Sequence, residues 1–529
     1  MKTLKSFWLL AFSFALALPA SAQTPTKYFG KKSPLAETEL QRWSHLDLVK
    51  DSVPGMSVDR AYAQLLKNKK GKPVIVGIVD SGVDIEHNDL KNVIWTNKKE
   101  IPGNGIDDDK NGYVDDIHGW NFLGNAVNEN LEMTRIVRAG DDGSQTYKDA
   151  KAELDGKIKK ANALKPTADM LYAAHKIVSE YLKKDNYTID DLKSIQTTDP
   201  SLNRSIRTMI GMARQSGPGF VSEVTEYRKY VYDQLDYNLN TNFDGRKVVG
   251  DDPNNIKEKS YGNNIVYGPD KEEALHGTHV AGIIAQERGN GLGGDGIANN
   301  VQIMAVRAVP NGDEYDKDIA LAIRYAVDNG AKVINGSFGK SYSPHKEWVY
   351  DAIKYAEKKD VLIVHAAGND SEDIDVESNF PNDSKDNKTE YADNVLTIGA
   401  IDVTYGDKLV ADFSNYGKTN VDVFAPGVQI YATVPNNKFK FEQGTSMAAP
   451  NVAGVAALIR SYYPGLSAKQ VKHIIMDSGT AIDENVNVGS NGDKKLFSTL
   501  SKSGKIVNAY NALIMAEKLS KGKAKKLNG

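Results

Sequence analysis

Five almost unbroken apolar runs constrain this chain more than any other feature: VIVGIVD (74–80), VQIMAVRAV (301–309), AKVINGSFG (331–339), VLIVHAAGN (361–369) and VLTIGAID (395–402). A strand wetted on one face alternates apolar and polar residues, and these runs do not, so both of their faces must be covered. Helical patterns lie between several of them. KDIALAIRYAVDNG carries Ile319, Ala322, Ile323 and Ala326 on one stripe with Gly330 just past its end, and EWVYDAIKYAEKKD repeats the design. Strand, helix, strand in this order predicts right-handed crossovers and an α/β fold with a doubly wound, mostly parallel sheet flanked by helices. Ligands of such sheets bind beyond the carboxyl ends of the strands, where Asp80, Ser337 and Asn369 fall.

With 529 residues, the chain can build one large core with insertions or two to three domains. It has no cysteine, which excludes disulfides, thiolate metal sites and a thiol nucleophile. The first 22 residues carry Lys2 and Lys5, a short apolar stretch and Ala20-Ser21-Ala22, the pattern of a cleaved signal peptide rather than a stable membrane anchor. Its removal takes the formal charge from −3 to −5, which argues against nucleic acid as a partner. Residues 23–43 read as a short N-terminal segment, too short for a folded propeptide, and 44–519 as the main domain. Within that domain the lysine-rich stretch at about 124–260 shows a helical stripe (Leu171, Ala174, Val178, Tyr181) with Pro166, Pro200 and Pro218 as breaks. It is expected to be a helical insertion, in part disordered as an alternative. Residues 520–529 read as a basic, mobile tail.

Three segments carry the chemistry: Asp80 in VDSGVD, His276 in LHGTHVAG and Ser446 in GTSMAAP. Singly, each has a structural reading as a turn residue, a packed histidine or a helix cap. Together they supply a hydroxyl, an imidazole to take its proton and a carboxylate to orient the imidazole. The order Asp, His, Ser is one of the known orders for this triad, and Ala448 breaks the Gly-x-Ser-x-Gly elbow of α/β-hydrolases.

DSGVDIEHNDL, HGTHVAGIIA, INGSFG, AAGND and GTSMAAPNVAGVAAL, in that order, resemble the subtilisin-like serine proteases, the subtilases. The resemblance covers roughly residues 44–517 apart from the insertion. It implies Asp80 as the orienting acid, His276 as general base, Ser446 as nucleophile and Asn369 as an oxyanion donor beside the Ser446 N–H. It also implies that an extended peptide adds to Ser337-Phe338-Gly339, with Ala366-Ala367-Gly368 walling the specificity pocket. Asp370, Glu372, Asp373 and Asp375 follow, either attracting a basic substrate residue or forming an acidic surface loop.

Structural calcium is the expected metal. DDDKNGYVDD places Asp107, Asp109, Asn111 and Asp115 at the alternate spacing of a calcium loop around Gly112, although His118 stands where an EF-hand has its glutamate. By the resemblance, Asp89 and Asn290 fall near a second calcium position. The reading is therefore an exported serine endopeptidase, periplasmic or extracellular, acting on protein or peptide substrates. The alternative is a catalytically dead binding protein on the same scaffold. A zinc site at HGTH lacks a glutamate at metalloprotease spacing.

Overall fold

The computed structural model describes residues 28–527 other than Ser490, so the expected signal peptide lies outside the described residues. The five apolar runs form β1 (Val74–Asp80), β3 (Val301–Arg307), β4 (Val333–Gly336), β5 (Leu362–Ala366) and β6 (Val395–Ile401). They are joined by β2 (Gly119–Asn121), β7 (Val423–Pro426), β10 (Thr480–Ala481) and β13 (Lys505–Ile506). The sheet has nine strands in the order β10-β13-β7-β6-β5-β4-β1-β3-β2, and only β10 runs antiparallel to its neighbour. Two hairpins stand apart: β8 (Ile430–Val434) with β9 (Lys438–Glu442), and β11 (Asn485–Val488) with β12 (Asp493–Leu496).

Successive side chains of one strand enter opposite layers, which is why the runs are continuous. Val74, Val76 and Ile78 of β1 enter one core and Val79 the other. Two short helices, α1 (Glu37–Leu40) and α2 (Val58–Ala61), precede β1. On one face lie α9 (Leu275–Ala285), α12 (Thr445–Tyr462), α13 (Ala468–Ser478) and α14 (Ala509–Leu527); on the other lie α10 (Asp316–Asp328) and α11 (Lys346–Lys358). α12 packs on β1 and β4 to β7, and on its side toward the segment after α9 a Cβ on Gly454 would sit 2.5 Å from Ile297 Cβ. The backbone of α14 is helical as far as Leu527, so residues 520–527 of the stretch read as a tail continue a helix. Lysine, alanine and leucine propagate helices well, and the Glu517–Lys521 pair at 2.7 Å joins successive turns.

The insertion is helical. It contains α3 (Glu132–Ala139), α4 (Gln145–Leu182), α5 (Ile189–Ser194), α6 (Pro200–Ser216), α7 (Phe220–Asp233) and α8 (Arg246–Val249). Pro200 starts α6 and Pro218 separates α6 from α7, but Pro166 lies inside α4 rather than breaking it. Ala150, Leu154 and Ala161 before that proline and Leu171, Ala174 and Val178 after it bury in two separate clusters, so packing on both sides holds the helix through a residue that cannot donate. Tyr181, the fourth member of the expected stripe, is exposed. The base of the insertion is pinched: Asn121 and Asn263 exchange backbone hydrogen bonds of 2.9 and 3.0 Å. The buried Arg307 then donates to Asn121 Oδ1 and to the carbonyls of Gly124 and Ala126.

Candidate active site

Asp80 ends β1 and is buried; His276 stands on the first turn of α9 and is half-exposed. His276 Nδ1 lies 2.7 Å from Asp80 Oδ1, which also accepts the Ser81 N–H at 2.7 Å. The Nδ1–H tautomer is thus the one held. Close approach of α9 to the end of β1 requires Gly277, since a Cβ there would meet the Gly82 carbonyl at 2.1 Å and Asp80 Oδ1 at 3.1 Å. Burial pushes the His276 pKa down, but the charge and hydrogen bond of Asp80 outweigh it, and the net shift is upward. His279, one turn on, is buried and pushed down to about 3 by desolvation; its Nε2 bonds the Lys440 carbonyl at 3.1 Å, so it packs under β9.

Ser446 is the second residue of α12. Four residues later Pro450 has no N–H to return to the Ser446 carbonyl, and the freed carbonyl accepts Ser337 Oγ at 2.8 Å. Ser337 Oγ in turn accepts Asn335 Nδ2 at 2.9 Å, and the Ser337 carbonyl accepts Ser446 Oγ at 3.3 Å. The nucleophile candidate and the strand beside it are clasped twice. Asn369 Oδ1 accepts the Thr445 N–H at 2.8 Å and Thr445 Oγ1 at 3.0 Å, so its oxygen is the end fixed to α12. Ser446 N and Asn369 Nδ2 lie 3.5 and 3.6 Å from the single point where a Cβ on Gly444 would stand. The Ser446 N and the Asn369 amide group therefore lie near each other, with Asn369 Oδ1 3.7 Å from the same point, at a helix N-terminus that favours negative charge.

Ser337, Phe338 and Gly339 continue from β4. Phe338 and Gly339 line two adjoining cavities, one of about 770 Å³ that holds Asp80 and His276, the other of about 290 Å³ that holds Asn369 and Ser446. Ala366 and Gly368 line the second, while the Ala367 carbonyl is held by Asn379 and Asn415 at 3.0 Å each. His365 Nε2 secures the Phe338 carbonyl at 2.7 Å, and burial lowers its pKa to about 4. The acidic stretch after Asn369 divides: Asp370 and Glu372 line the cavity, Asp373 pairs with Lys495 at 3.7 Å, and Asp375 accepts the N–H groups of Thr419 and Asn420.

The expected metal loop brings Asp107 and Asp109 together with Glu100, their carboxylate oxygens within 4.8 Å of one another. Glu100 lies outside the motif and was not visible from its spacing. Asp115 is turned elsewhere, accepting N–H groups of Gly103, Asn104 and Gly105, and Asn111 caps its own loop and reaches Asp116. At the second position Asn290 Nδ2 donates to Asp89 Oδ1, while Asp89 Oδ2 is buried without a hydrogen bond and burial lifts the carboxyl to about 6. Thr445 and Asn335 are the positioning residues that the sequence reading missed; the one signal for each is its place beside a residue that was found.

A nine-stranded, mostly parallel sheet with these segments at the ends of its strands defines an α/β protein of the subtilisin type. Residues 71–499 match the family model described as the Subtilase family, and the chain belongs to that family. Over 187 residues, 35% of this chain, it is 46% identical to a thermophilic serine proteinase of Bacillus sp. strain AK1. Over 42% of this chain it is 39% identical to the cell wall-associated protease of Bacillus subtilis strain 168. Over 40% it is 36% identical to subtilisin DY of Bacillus licheniformis, spanning 73% of that relative. The first two alignments span 42% and 23% of their relatives' lengths.

Proposed function

We propose that the chain is an exported serine endopeptidase, periplasmic or extracellular, that hydrolyses peptide bonds in protein or peptide substrates. The observation that carries the reading is the 2.7 Å carboxylate–imidazole pair in a cavity that adjoins, across Phe338 and Gly339, the one holding Asn369 and a serine at a helix mouth. Ser446 Oγ leaves its resting contact with the Ser337 carbonyl and attacks the scissile carbonyl as His276 Nε2 takes its proton. Asp80 holds the imidazole and stabilises its charge. The tetrahedral oxyanion lies between the Ser446 N–H and Asn369 Nδ2, and loss of the latter donor costs about 3–4 kcal/mol of transition-state stabilisation. His276 then protonates the leaving amine, and water hydrolyses the acyl-enzyme by the same steps. The substrate backbone adds to Ser337-Phe338-Gly339.

Calcium belongs to the same reading as a structural ion. Glu100, Asp107 and Asp109 would hold one ion, and Asp89 with Asn290 another, where the buried Asp89 Oδ2 has no hydrogen-bond partner and offers a free ligand oxygen. Casein hydrolysis by the purified protein beside its Ser446→Ala variant tests the function, with organophosphonate labelling of Ser446 as a second readout. Equal hydrolysis by the two proteins removes the nucleophile assignment. No hydrolysis and no labelling by either leaves the binding-protein alternative.

A further inference from the structure

The helical insertion walls both halves of the catalytic cleft. Glu226, Lys229 and Tyr230 of α7 share the larger cavity with Asp80 and His276. Lys157 of α4, with Leu131 and Met133, shares the smaller one with Asn369 and Ser446. The same helices are tied down around the cleft. On one rim Glu226 pairs with Lys440 of β9 at 3.1 Å, and Lys229 with Glu273, just before α9, at 3.4 Å. On the other, Tyr342, three residues past Gly339, donates to Glu153 of α4 at 3.0 Å. Beyond β3, Asn311 donates to Asp233 of α7 at 2.8 Å. The two helices are also joined to each other, through Tyr232 to Asp169 at 2.8 Å and through a shared buried cluster that includes Leu171, Met209 and Val224. α4 alone has 38 residues, about 57 Å at 1.5 Å per residue.

Resting on the peptidase reading above, we infer that the insertion is a roof that selects unfolded polypeptide segments as substrates and rejects loops of folded proteins. Two helices side by side are about 20 Å across, a distance that about six extended residues just span. A substrate therefore has to present that length of chain free of its own tertiary structure before its scissile bond reaches Ser446. The exposed ion pairs on the rim are individually weak, so the roof's position rests chiefly on the apolar packing inside the insertion.

The test uses the full-length enzyme and a cut site identified from casein fragments. That site is placed in a free peptide and in linkers of about four to about twenty residues between two folded domains. The expected result is that kcat/KM for the longest linker equals that for the peptide and falls by about 100-fold for the shortest, because cleavage then waits on local opening. Deleting the insertion risks misfolding, so the second arm is Met209→Ala, buried in α6 and outside the lining of both cavities. Faster amide exchange in α4 to α7 together with several-fold faster cleavage of the shortest linker supports the roof. Cleavage of the shortest linker as fast as the free peptide overturns it, as does loosened exchange with no gain on short linkers. Failure to cut the free peptide overturns the peptidase reading instead.

Discussion

Thr445→Val separates the positioning of Asn369, the proposed oxyanion amide, from the amide itself. The substitution keeps the shape and removes Oγ1, which at once donates to Asn369 Oδ1 at 3.0 Å and accepts the Gly368 N–H at 3.1 Å. Asn369 keeps its 2.8 Å bond from the Thr445 N–H but loses the second anchor on the same oxygen, so its amide is free to swing. The deleted neutral hydrogen bond is worth about 0.5–1.5 kcal/mol and the part-buried Gly368 N–H left without a partner about 1–3 kcal/mol, a loss readable by thermal melting. On the proposed mechanism, in which the Asn369 donor supplies about 3–4 kcal/mol, a loss of about 1.4 kcal/mol of it corresponds to a tenfold fall in kcat. Steady-state kinetics on a chromogenic peptide should show that fall with KM little changed, and Asn369→Ala should show about 10²- to 10³-fold. The double variant decides the matter: with Asn369 already removed, Thr445→Val should add little. A full tenfold loss in both backgrounds would refute the idea that Thr445 acts through Asn369.

Other expectations follow from the same geometry. In the proposed mechanism His276 acts in its neutral form, and Asp80 raises its pKa against the effect of burial, so kcat/KM should fall as pH drops through a value above the ordinary 6.5; a pH–rate profile at or below 6.5 would contradict the assignment. His279 at about 3 and His365 at about 4 stay neutral in the fold while the unfolded chain takes up protons below about 6.5, so stability present at neutral pH should be lost progressively as pH falls from about 6.5 toward 4. Melting temperatures of His365→Gln should show a shallower decline over that window. Gly277→Ala should abolish activity and lower soluble yield, because its Cβ has no space beside the Gly82 carbonyl. Calcium at 100 times its Kd should stabilise the protein by about 2.7 kcal/mol per site, an increment lost separately in Glu100→Gln and Asp89→Asn; unchanged melting on titration would remove both sites.

The sheet was legible because strands buried on both faces leave no polar phase in the sequence, and the triad segments because each ends or begins an element at the same rim. What was not legible depended on contacts distant along the chain. Glu100 meets Asp107 and Asp109 only after the loop folds back, which leaves Asp115 to cap the turn at 103–105 instead. Pro166 reads as a break by propensity, but buried residues on either side of it hold α4 continuous. Asp373 and Asp375 look like their neighbours Asp370 and Glu372 in sequence, and only their partners, Lys495 and the Thr419–Asn420 backbone, set them apart. That the insertion lies against the cleft could not be read from its helical stripes, which face inward to its own cores.

The Asn121–Asn263 clasp has a consequence for how such a chain can change. The entry and exit of the long excursion meet at two reciprocal backbone bonds, locked by Arg307, so its two ends stay together whatever its helices touch beyond them. The closure entropy of the excursion grows only slowly with its length. Helices grown, trimmed or exchanged above that clasp can therefore vary without parting β2 from the strand end it joins, provided the contacts of Glu226, Lys229, Glu153 and Asp233 with the main domain are kept.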